Sequence, residues 1–269
     1  MQGPSPDANL AELLSQWTNA FGWGDRAAFL CGDDVYTHGE VHRGAARAGA
    51  LLAARGTAPG DRVVIALPGS IEFVWAFLGV VRIGAIAMLA DPAAPVLPPG
   101  EIAVCAPGRH KPALTTADLV AGMPQAGFAE ACPVLPDAPA YVQYGSVHAH
   151  RDPEASYLAL ESLGLRQNDV LFPIPDMYHP DGLRDTVFLP LFSGASAVLD
   201  TGGRSVSDVA ERVHRHRASV LFTTPAFVTR LDSDHGGETF APLRMAVSGT
   251  ATPPPRRIAT RLGCPVVTP

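Results

Sequence analysis

Residues 35–92 read VYTHGEVHRGAARAGALLAARGTAPGDRVVIALPGSIEFVWAFLGVVRIGAIAMLADP, and this stretch decides the fold. Val63–Leu67 and Ala85–Leu89 are continuous apolar runs, as expected of strands that are buried on both faces of a parallel sheet. Ile71–Arg82 lies between these runs and predicts the crossover helix that joins them. Gly39–Ala54 predicts a second packed helix, rich in small apolar residues. The order of these elements indicates an α/β fold.

The pattern continues on both sides of this stretch. Upstream, Leu10–Phe21 has helical spacing of apolar residues, and Ala27–Leu30 pairs with Val35–Thr37 as a predicted hairpin. Downstream, the predicted strands are Tyr141–Tyr144, Val170–Ile174, Ala197–Leu199, Val220–Thr223 and Arg244–Val247. The predicted helices between them are Pro153–Leu163, Leu183–Phe192, Val206–His216 and Pro225–Leu231.

Two α/β subdomains are predicted, over residues 1–138 and 139–269. The connection at residues 92–139 is interrupted throughout by proline and glycine, and only Glu101–Cys105 and Ala117–Gly122 predict short elements within it. A chain of 269 residues fits one large or two small globular units, and its 47% hydrophobic residues are sufficient for a core.

Charge and cysteine usage restrict the partners and the compartment. A formal net charge of −6 argues against nucleic acid or an anionic membrane surface as a partner. The four cysteines are widely scattered, with no zinc-like spacing, which favours a reduced cytoplasmic protein. We expect no signal peptide and no membrane span, because the N-terminus lacks a basic segment followed by an apolar one and Arg82 and Gly84 interrupt the longest apolar run.

Two further blocks accompany residues 35–92, namely DVLFPIPDMYHPDGLRDTVFLPLFSGASAVL at 169–199 and a segment at 218–254 that ends in LRMAVSGTATPP. In order and spacing the three blocks resemble the adenylate-forming superfamily of acyl-CoA synthetases, adenylation domains and luciferases, and most of all its aryl- and acyl-CoA ligases. The resemblance implies two stacked parallel-sheet subdomains of the family's N-terminal domain. Residues 263–267 resemble the strand that leads into the family's Tyr-Gly-x-Thr-Glu motif. We therefore expect a truncated member that lacks the β-barrel portion and the C-terminal domain.

Residues 141–151 read YVQYGSVHAHR and resemble the family's phosphate-binding segment with its middle removed. Tyr144, Gly145 and Ser146 are the predicted remnant of the loop, whereas its Ser/Thr/Gly-rich part and its lysine are missing. Such loops hold phosphates through several charge-assisted hydrogen bonds, each contributing roughly 1.5–3 kcal/mol. We therefore expect a degenerate phosphate loop, the loss of ATP and magnesium, and no cofactor. Lys111 is the lone lysine and lies far from the positions of the family's lysines.

The candidate site follows from the ends of predicted strands, where parallel sheets bind their ligands. The resemblance implies that His179 and Gly182 line a carboxylate pocket opposite Ser248, Gly249 and Thr250. The predicted substrate-binding residues are Tyr178, Gly182, Thr223, Thr224, Ser248, Gly249 and Thr250. His179 and Asp181 are the candidate catalytic pair, since an aspartate beside a histidine can orient it for acid–base chemistry. The alternative is that Asp181 only caps the helix that follows.

His148 and His150 stand two positions apart, as a metal pair on a strand would. No third ligand is evident in the sequence, and the family has a similar His-x-His without metal. No metal site is therefore predicted.

Three functions remain open. The first is a biosynthetic enzyme that no longer adenylates and acts on a small aryl or acyl acid or a preformed thioester. The second is a non-catalytic binding or scaffold partner of a complete synthetase or a carrier protein. The third is one half of a split acyl-CoA ligase. A homodimer, or a tight partner that covers the same surface, is also expected, because Val266–Val267 and neighbouring apolar surface would otherwise be bare.

Overall fold

A computed structural model describes residues 9–199, 202–234, 236–249 and 255–268. The strands are β1 (Ala27–Cys31), β2 (Asp34–Thr37), β3 (Arg62–Ala66), β4 (Ile86–Leu89), β5 (Ile102–Cys105), β6 (Ala113–Leu114), β7 (Pro139–Gln143), β8 (Ser146–Ala149), β9 (Val170–Pro173), β10 (Ser196–Val198), β11 (Val220–Thr223), β12 (Met245–Ser248) and β13 (Val266–Val267). The helices are α1 (Leu10–Ala20), α2 (His38–Ala54), α3 (Ile71–Arg82), α4 (Thr116–Gly122), α5 (Asp152–Ala159), α6 (Pro180–Leu183), α7 (Leu189–Ser193), α8 (Val206–Arg215), α9 (Pro225–Ser233) and α10 (Arg256–Leu262).

The strands of the described residues form two open sheets, with no closed barrel among them. One sheet has seven strands in the order β13-β12-β11-β9-β10-β1-β2, and the other has six in the order β6-β5-β3-β4-β7-β8. Pairing is parallel except at one edge of each sheet, where the hairpins β1–β2 and β7–β8 are antiparallel. The α/β class and the two parallel-dominated sheets predicted from the sequence are confirmed.

The strands do not divide between the sheets at residue 138. β1 pairs in parallel with β10, Phe29 opposite Ala197, so the early hairpin completes the seven-stranded sheet. Conversely, β7 pairs with β4 and adds the second hairpin to the six-stranded sheet. The predicted units 1–138 and 139–269 therefore do not correspond to the two sheets, because each sheet takes a hairpin from the other part of the chain.

Local signals in the sequence set the helix starts. Thr37 accepts a hydrogen bond from the Glu40 N–H while the Glu40 carboxylate accepts one from the Thr37 N–H, a capping box that starts α2. Ser70 caps α3 through the Phe73 N–H. Helices α2 and α3 then bury their apolar faces against each other, and Phe77 of α3 packs on Tyr141 of β7 with ring centroids 5.6 Å apart.

The helix predicted over Leu183–Phe192 is interrupted by a π-helical turn, Arg184–Phe188, between α6 and α7. In this turn the Leu189 N–H bonds to the Arg184 carbonyl, five residues back. Pro190 follows at the second position of α7, where its missing N–H removes one bond of the regular helical ladder. Asp185, Thr186, Val187 and Phe188 of this turn are all buried.

The connection over residues 92–139 contains β5 and α4 close to their predicted positions, together with the short strand β6, which the sequence did not indicate. Val266 and Val267 are both partly buried as β13, the edge strand of the seven-stranded sheet. Within the described ranges, no helix combines the length and the apolar character needed to cross a bilayer.

Candidate functional site

A cleft of about 370 Å³ opens at the carboxyl ends of β9, β11 and β12. This volume lies within the range of small-molecule sites, which spans roughly 300–1,000 Å³. Its walls come from the turn before α6, the start of α9, the end of β12 and the β7–β8 turn. The lining residues are Tyr144, Ile174, Pro175, Asp176, Tyr178, His179, Asp181, Arg204, Thr223, Thr224, Pro225, Arg230 and Gly249.

Most of the predicted site residues line this cleft, whereas others are buried behind its wall or exposed elsewhere. Tyr178, His179, Asp181, Thr223, Thr224, Gly249 and Tyr144 line it. Gly182 and Ser248 are buried behind the wall. Gly145 and Ser146 are exposed in the β7–β8 hairpin and do not line the cleft. Thr250 lies outside the described residues.

The packing of α6 requires glycine at position 182. A β-carbon at this position would lie 1.9 Å from the Asp176 carbonyl oxygen, so a side chain would push α6 away from the turn that carries Tyr178 and His179. Its absence lets the turn and the helix approach closely enough to form one wall of the cleft.

His179 and Asp181 are near each other, but the aspartate has a closer partner. The His179 Nδ1 atom lies 4.0 Å from Asp181 Oδ2, whereas the Arg184 guanidinium donates to Asp181 Oδ1 at 3.1 Å. Helix α6 begins at Pro180 with His179 as its N-cap residue and no side-chain cap. Asp181 is therefore within the first turn and ion-paired to Arg184, which replaces the predicted capping role.

The ion pairs of Arg184 extend from the cleft into the core. Its Nε donates to Asp185 Oδ1 at 2.8 Å, and Asp185 is 2% exposed. Burial raises the pKa of Asp185 to about 7, against the opposing effect of the Arg184 charge. The Arg184 guanidinium thus binds both the Asp181 carboxylate in the cleft and the buried Asp185 carboxylate. Gly249 lies close to Asp181, because a β-carbon at position 249 would be 3.7 Å from Asp181 Oδ2.

The sequence did not indicate the two arginines of the cleft or Asp176. Arg204 follows β10 in a glycine-rich loop and pairs with Asp176 at 3.3 Å. The Tyr178 hydroxyl donates to the same carboxylate at 3.2 Å, and burial together with Asp176 raises the pKa of Tyr178 to about 12. Arg230 is exposed on α9, and its guanidinium has no ion pair among the described residues. Loop and helix positions of this kind have no sequence periodicity that would single them out.

The hydroxyls of both threonines serve the backbone. Thr223 donates to the Val247 carbonyl at 3.1 Å and so links β11 to β12. Thr224 accepts from the Phe227 N–H and caps α9. These threonines shape the cleft, while Arg204 and Arg230 provide its guanidinium groups and His179 its imidazole.

The β7–β8 connection is a turn of two residues. Gln143 pairs with Ser146, which leaves Tyr144 and Gly145 between the strands, with φ of 50° and 79°. Positive φ at both positions is the backbone of a type I′ hairpin turn. Gln143 Nε2 donates to the Met177 carbonyl at 3.3 Å, so the hairpin is fixed to the turn that carries Tyr178.

His148 of β8 and His150, which follows this strand, both have structural contacts. The His148 ring stacks on Tyr141 with centroids 4.6 Å apart. His150 is 1% exposed, and its Nδ1 atom accepts from the Leu10 N–H at 3.1 Å. Burial lowers the pKa of His150 to about 4. Within the described ranges no three metal-ligating side chains are grouped together.

Comparison with known proteins agrees with this architecture. Residues 17–107 match the family described as AMP-binding enzyme. The chain belongs to the adenylate-forming superfamily and is homologous to its aryl-CoA ligases.

Individual relatives make the class more specific. A p-hydroxybenzoic acid–AMP ligase, FadD22 of Mycobacterium tuberculosis, is 32% identical over 90% of this chain and 38% of its own length. A 3-hydroxybenzoate/4-hydroxybenzoate–CoA ligase of Thauera aromatica is 27% identical over 88% of this chain and 53% of its own. The crystal structure of a benzoate CoA ligase from Burkholderia xenovorans LB400 superposes with a TM-score of 0.84 at 20% identity, over 97% of this chain and 60% of that one. The chain thus spans between 38% and 60% of the length of these proteins.

Proposed function

We propose that this chain binds an aryl carboxylate, free or as a thioester, in the cleft and does not adenylate it. The observation that carries the proposal is the combination of an aromatic and cationic cleft with a two-residue β7–β8 turn. The relatives named above are ligases of hydroxybenzoates and benzoate, which supports an aromatic acid as the ligand.

The carboxylate of such a ligand has a partner in Arg230. Its guanidinium lines the cleft and is not engaged in an ion pair among the described residues, whereas Arg204 is paired with Asp176. A planar guanidinium can donate two parallel hydrogen bonds to a carboxylate. His179 lines the same cleft and provides a second donor when its ring is suitably protonated.

The short β7–β8 connection supports the proposed loss of ATP binding. Gln143 and Ser146 are already paired across the hairpin, so Tyr144 and Gly145 alone separate the two strands. Two residues provide too few backbone N–H groups to surround a triphosphate, which usually needs several. We therefore assign no step of a reaction to ATP or magnesium.

A second candidate is hydrolysis of the thioester, in which water attacks the carbonyl, the thiol leaves and the free acid results. The half-exposed His179 ring would be the base that takes the proton from water. The 4.0 Å separation of His179 and Asp181 exceeds the range of roughly 2.6–3.2 Å over which a base is oriented by hydrogen bonding. This geometry favours binding over turnover.

Isothermal titration with 4-hydroxybenzoate and with its N-acetylcysteamine thioester tests the proposal. Arg230→Gln is expected to weaken binding of the free acid by at least about tenfold, since the charge-assisted hydrogen bonds to its carboxylate are lost. Arg215→Gln, on the exposed face of α8, is the control and should bind like the wild type. ATP–pyrophosphate exchange dependent on 4-hydroxybenzoate would refute the loss of adenylation, and absence of binding to either compound would refute the ligand.

Release of thiol from the same thioester distinguishes the two candidates. Turnover that disappears in His179→Ala would establish the second candidate. If the wild type binds the thioester but releases no thiol, hydrolysis is excluded and the proposed binding function is supported.

A further inference from the structure

Tyr144 has an unusual backbone for its residue type. It is the first of the two turn residues, with φ of 50°, a left-handed conformation that costs a side chain bearing a β-carbon more than it costs glycine. In two-residue turns of this type the position is usually taken by asparagine, aspartate or glycine. The neighbouring Gly145, with φ of 79°, follows that preference and Tyr144 does not.

The fold gains little from the tyrosine in return. Its side chain is 68% exposed, so burial of the ring contributes little to the core. The turn itself is already fixed by the pairing of Gln143 with Ser146 and by the bond from Gln143 to the Met177 carbonyl. A strained and exposed aromatic residue on a rigid turn therefore indicates a role outside folding.

The ring of Tyr144 lies at the cleft. It packs edge-on against the His179 ring with centroids 5.5 Å apart and an interplanar angle of 68°. Among the described residues that line the cleft, Tyr144 alone comes from the six-stranded sheet, while the others belong to the seven-stranded sheet and its loops. The hairpin thus brings one aromatic ring across to the site that the other sheet forms.

The second tyrosine of the cleft is held differently. The Tyr178 hydroxyl is bonded to Asp176, which is in turn paired with Arg204. Its ring is held in the wall by these contacts, whereas the Tyr144 ring lines the cleft from the tip of a turn and contacts the His179 ring. An aromatic ligand placed there would meet the faces and edges of Tyr144 and His179, an arrangement worth more than contact with a saturated ring of the same size.

We infer that Tyr144 selects an aromatic ring over a saturated one in this cleft, an inference that rests on the proposed function. The left-handed backbone of Tyr144, with φ of 50°, is the conformational cost of placing this ring at the two-residue β7–β8 turn beside the cleft. Tyr144→Asn removes the ring and restores the residue that such a turn favours. Tyr144→Phe retains the ring, and Val147→Thr changes an exposed residue of β8 that does not line the cleft.

The test measures dissociation constants of 4-hydroxybenzoate and trans-4-hydroxycyclohexanecarboxylate by isothermal titration, together with thermal unfolding, on the full chain. The wild type, Tyr144→Phe and Val147→Thr should prefer the aromatic acid by about two- to tenfold. Tyr144→Asn should bind both acids within twofold of each other and unfold at a temperature equal to or above that of the wild type.

The outcomes separate the inference from the function on which it rests. If Tyr144→Asn retains the aromatic preference, or if it unfolds at a lower temperature and weakens both acids equally, Tyr144 is a structural residue and the inference is wrong. If the wild type binds neither acid, the proposed function and the inference both fail.

Discussion

Lowering the pH from 7.5 to 5 should destabilise this protein, in part through protonation of the buried histidine His150. Its Nδ1 atom accepts from the Leu10 N–H at the first residue of α1, and burial lowers its pKa from 6.5 to about 4. An imidazolium cannot accept at Nδ1, so protonation would leave the start of α1 without this partner.

The sign and size follow from the difference in protonation between the two states. Above pH 6.5 the ring is neutral both folded and unfolded, so it does not affect the pH dependence. As the pH falls from 6.5 towards 4, the unfolded chain binds a proton that the folded chain does not, and the free energy of unfolding decreases. With a pKa of about 4 in the folded state and about 6.5 in the unfolded state, the loss is about 2 kcal/mol at pH 5 and about 3 kcal/mol well below pH 4. This is a substantial part of a typical domain stability of about 5–15 kcal/mol.

His150→Asn isolates this contribution. The asparagine Oδ1 atom can accept from the Leu10 N–H but does not titrate, so the variant should lose about 2 kcal/mol less than the wild type between pH 7.5 and 5. Urea unfolding at both pH values measures the loss of unfolding free energy in each protein. Other titrating groups, including His38 with its pKa lowered to about 4, contribute equally to the wild type and the variant and therefore cancel in the comparison. His214→Gln, exposed on α8, is the control and should match the wild type. Equal losses in the wild type and His150→Asn would refute the assignment.

Three further predictions concern the site and the surface. The free energy of unfolding of the wild type should fall by about 1 kcal/mol as the pH rises from 6 to 8, because the pKa of Asp185 is raised to about 7 and the folded state releases a proton over that interval. Asp185→Asn should abolish this fall. Urea unfolding at the two pH values measures it, and the same fall in the variant would count against the prediction. Gly182→Ala should cost about 3 kcal/mol or more through overlap with the Asp176 carbonyl, whereas Gly127→Ala, with open space around it, should stay within about 0.5 kcal/mol by the same assay; equal stabilities would contradict the packing argument. Multi-angle light scattering should detect a homodimer through the edge strand β13, and a monodisperse monomer would exclude it.

The parts of the fold that depend on local pattern could be predicted from the sequence. The apolar runs that became β3 and β4 and the crossover helix α3 were located within about two residues, because burial on both faces of a sheet leaves a continuous apolar stretch. The pairing of β1 with β10 could not be predicted, since parallel strands distant in sequence share no turn that fixes their register.

The candidate site shows the same division. His179, Asp181 and Gly249 could be located because they follow predicted strands, where ligands of parallel sheets gather. Arg230 could not, because it lies on the second turn of a helix whose orientation depends on tertiary packing. The ion pair of Asp181 with Arg184 was also missed, since only the folded helix brings these side chains together.

The pairing of β1 with β10 also affects how the chain is made. Phe29 pairs with Ala197, which is about 170 residues later in the chain, so the first hairpin can join the seven-stranded sheet only after β10 has been synthesised. During translation the edge of β1 that does not pair with β2 remains without its partner until the ribosome has released β10. The nascent chain therefore exposes unpaired backbone groups of β1 for most of its synthesis. Chaperones would be most needed during that interval.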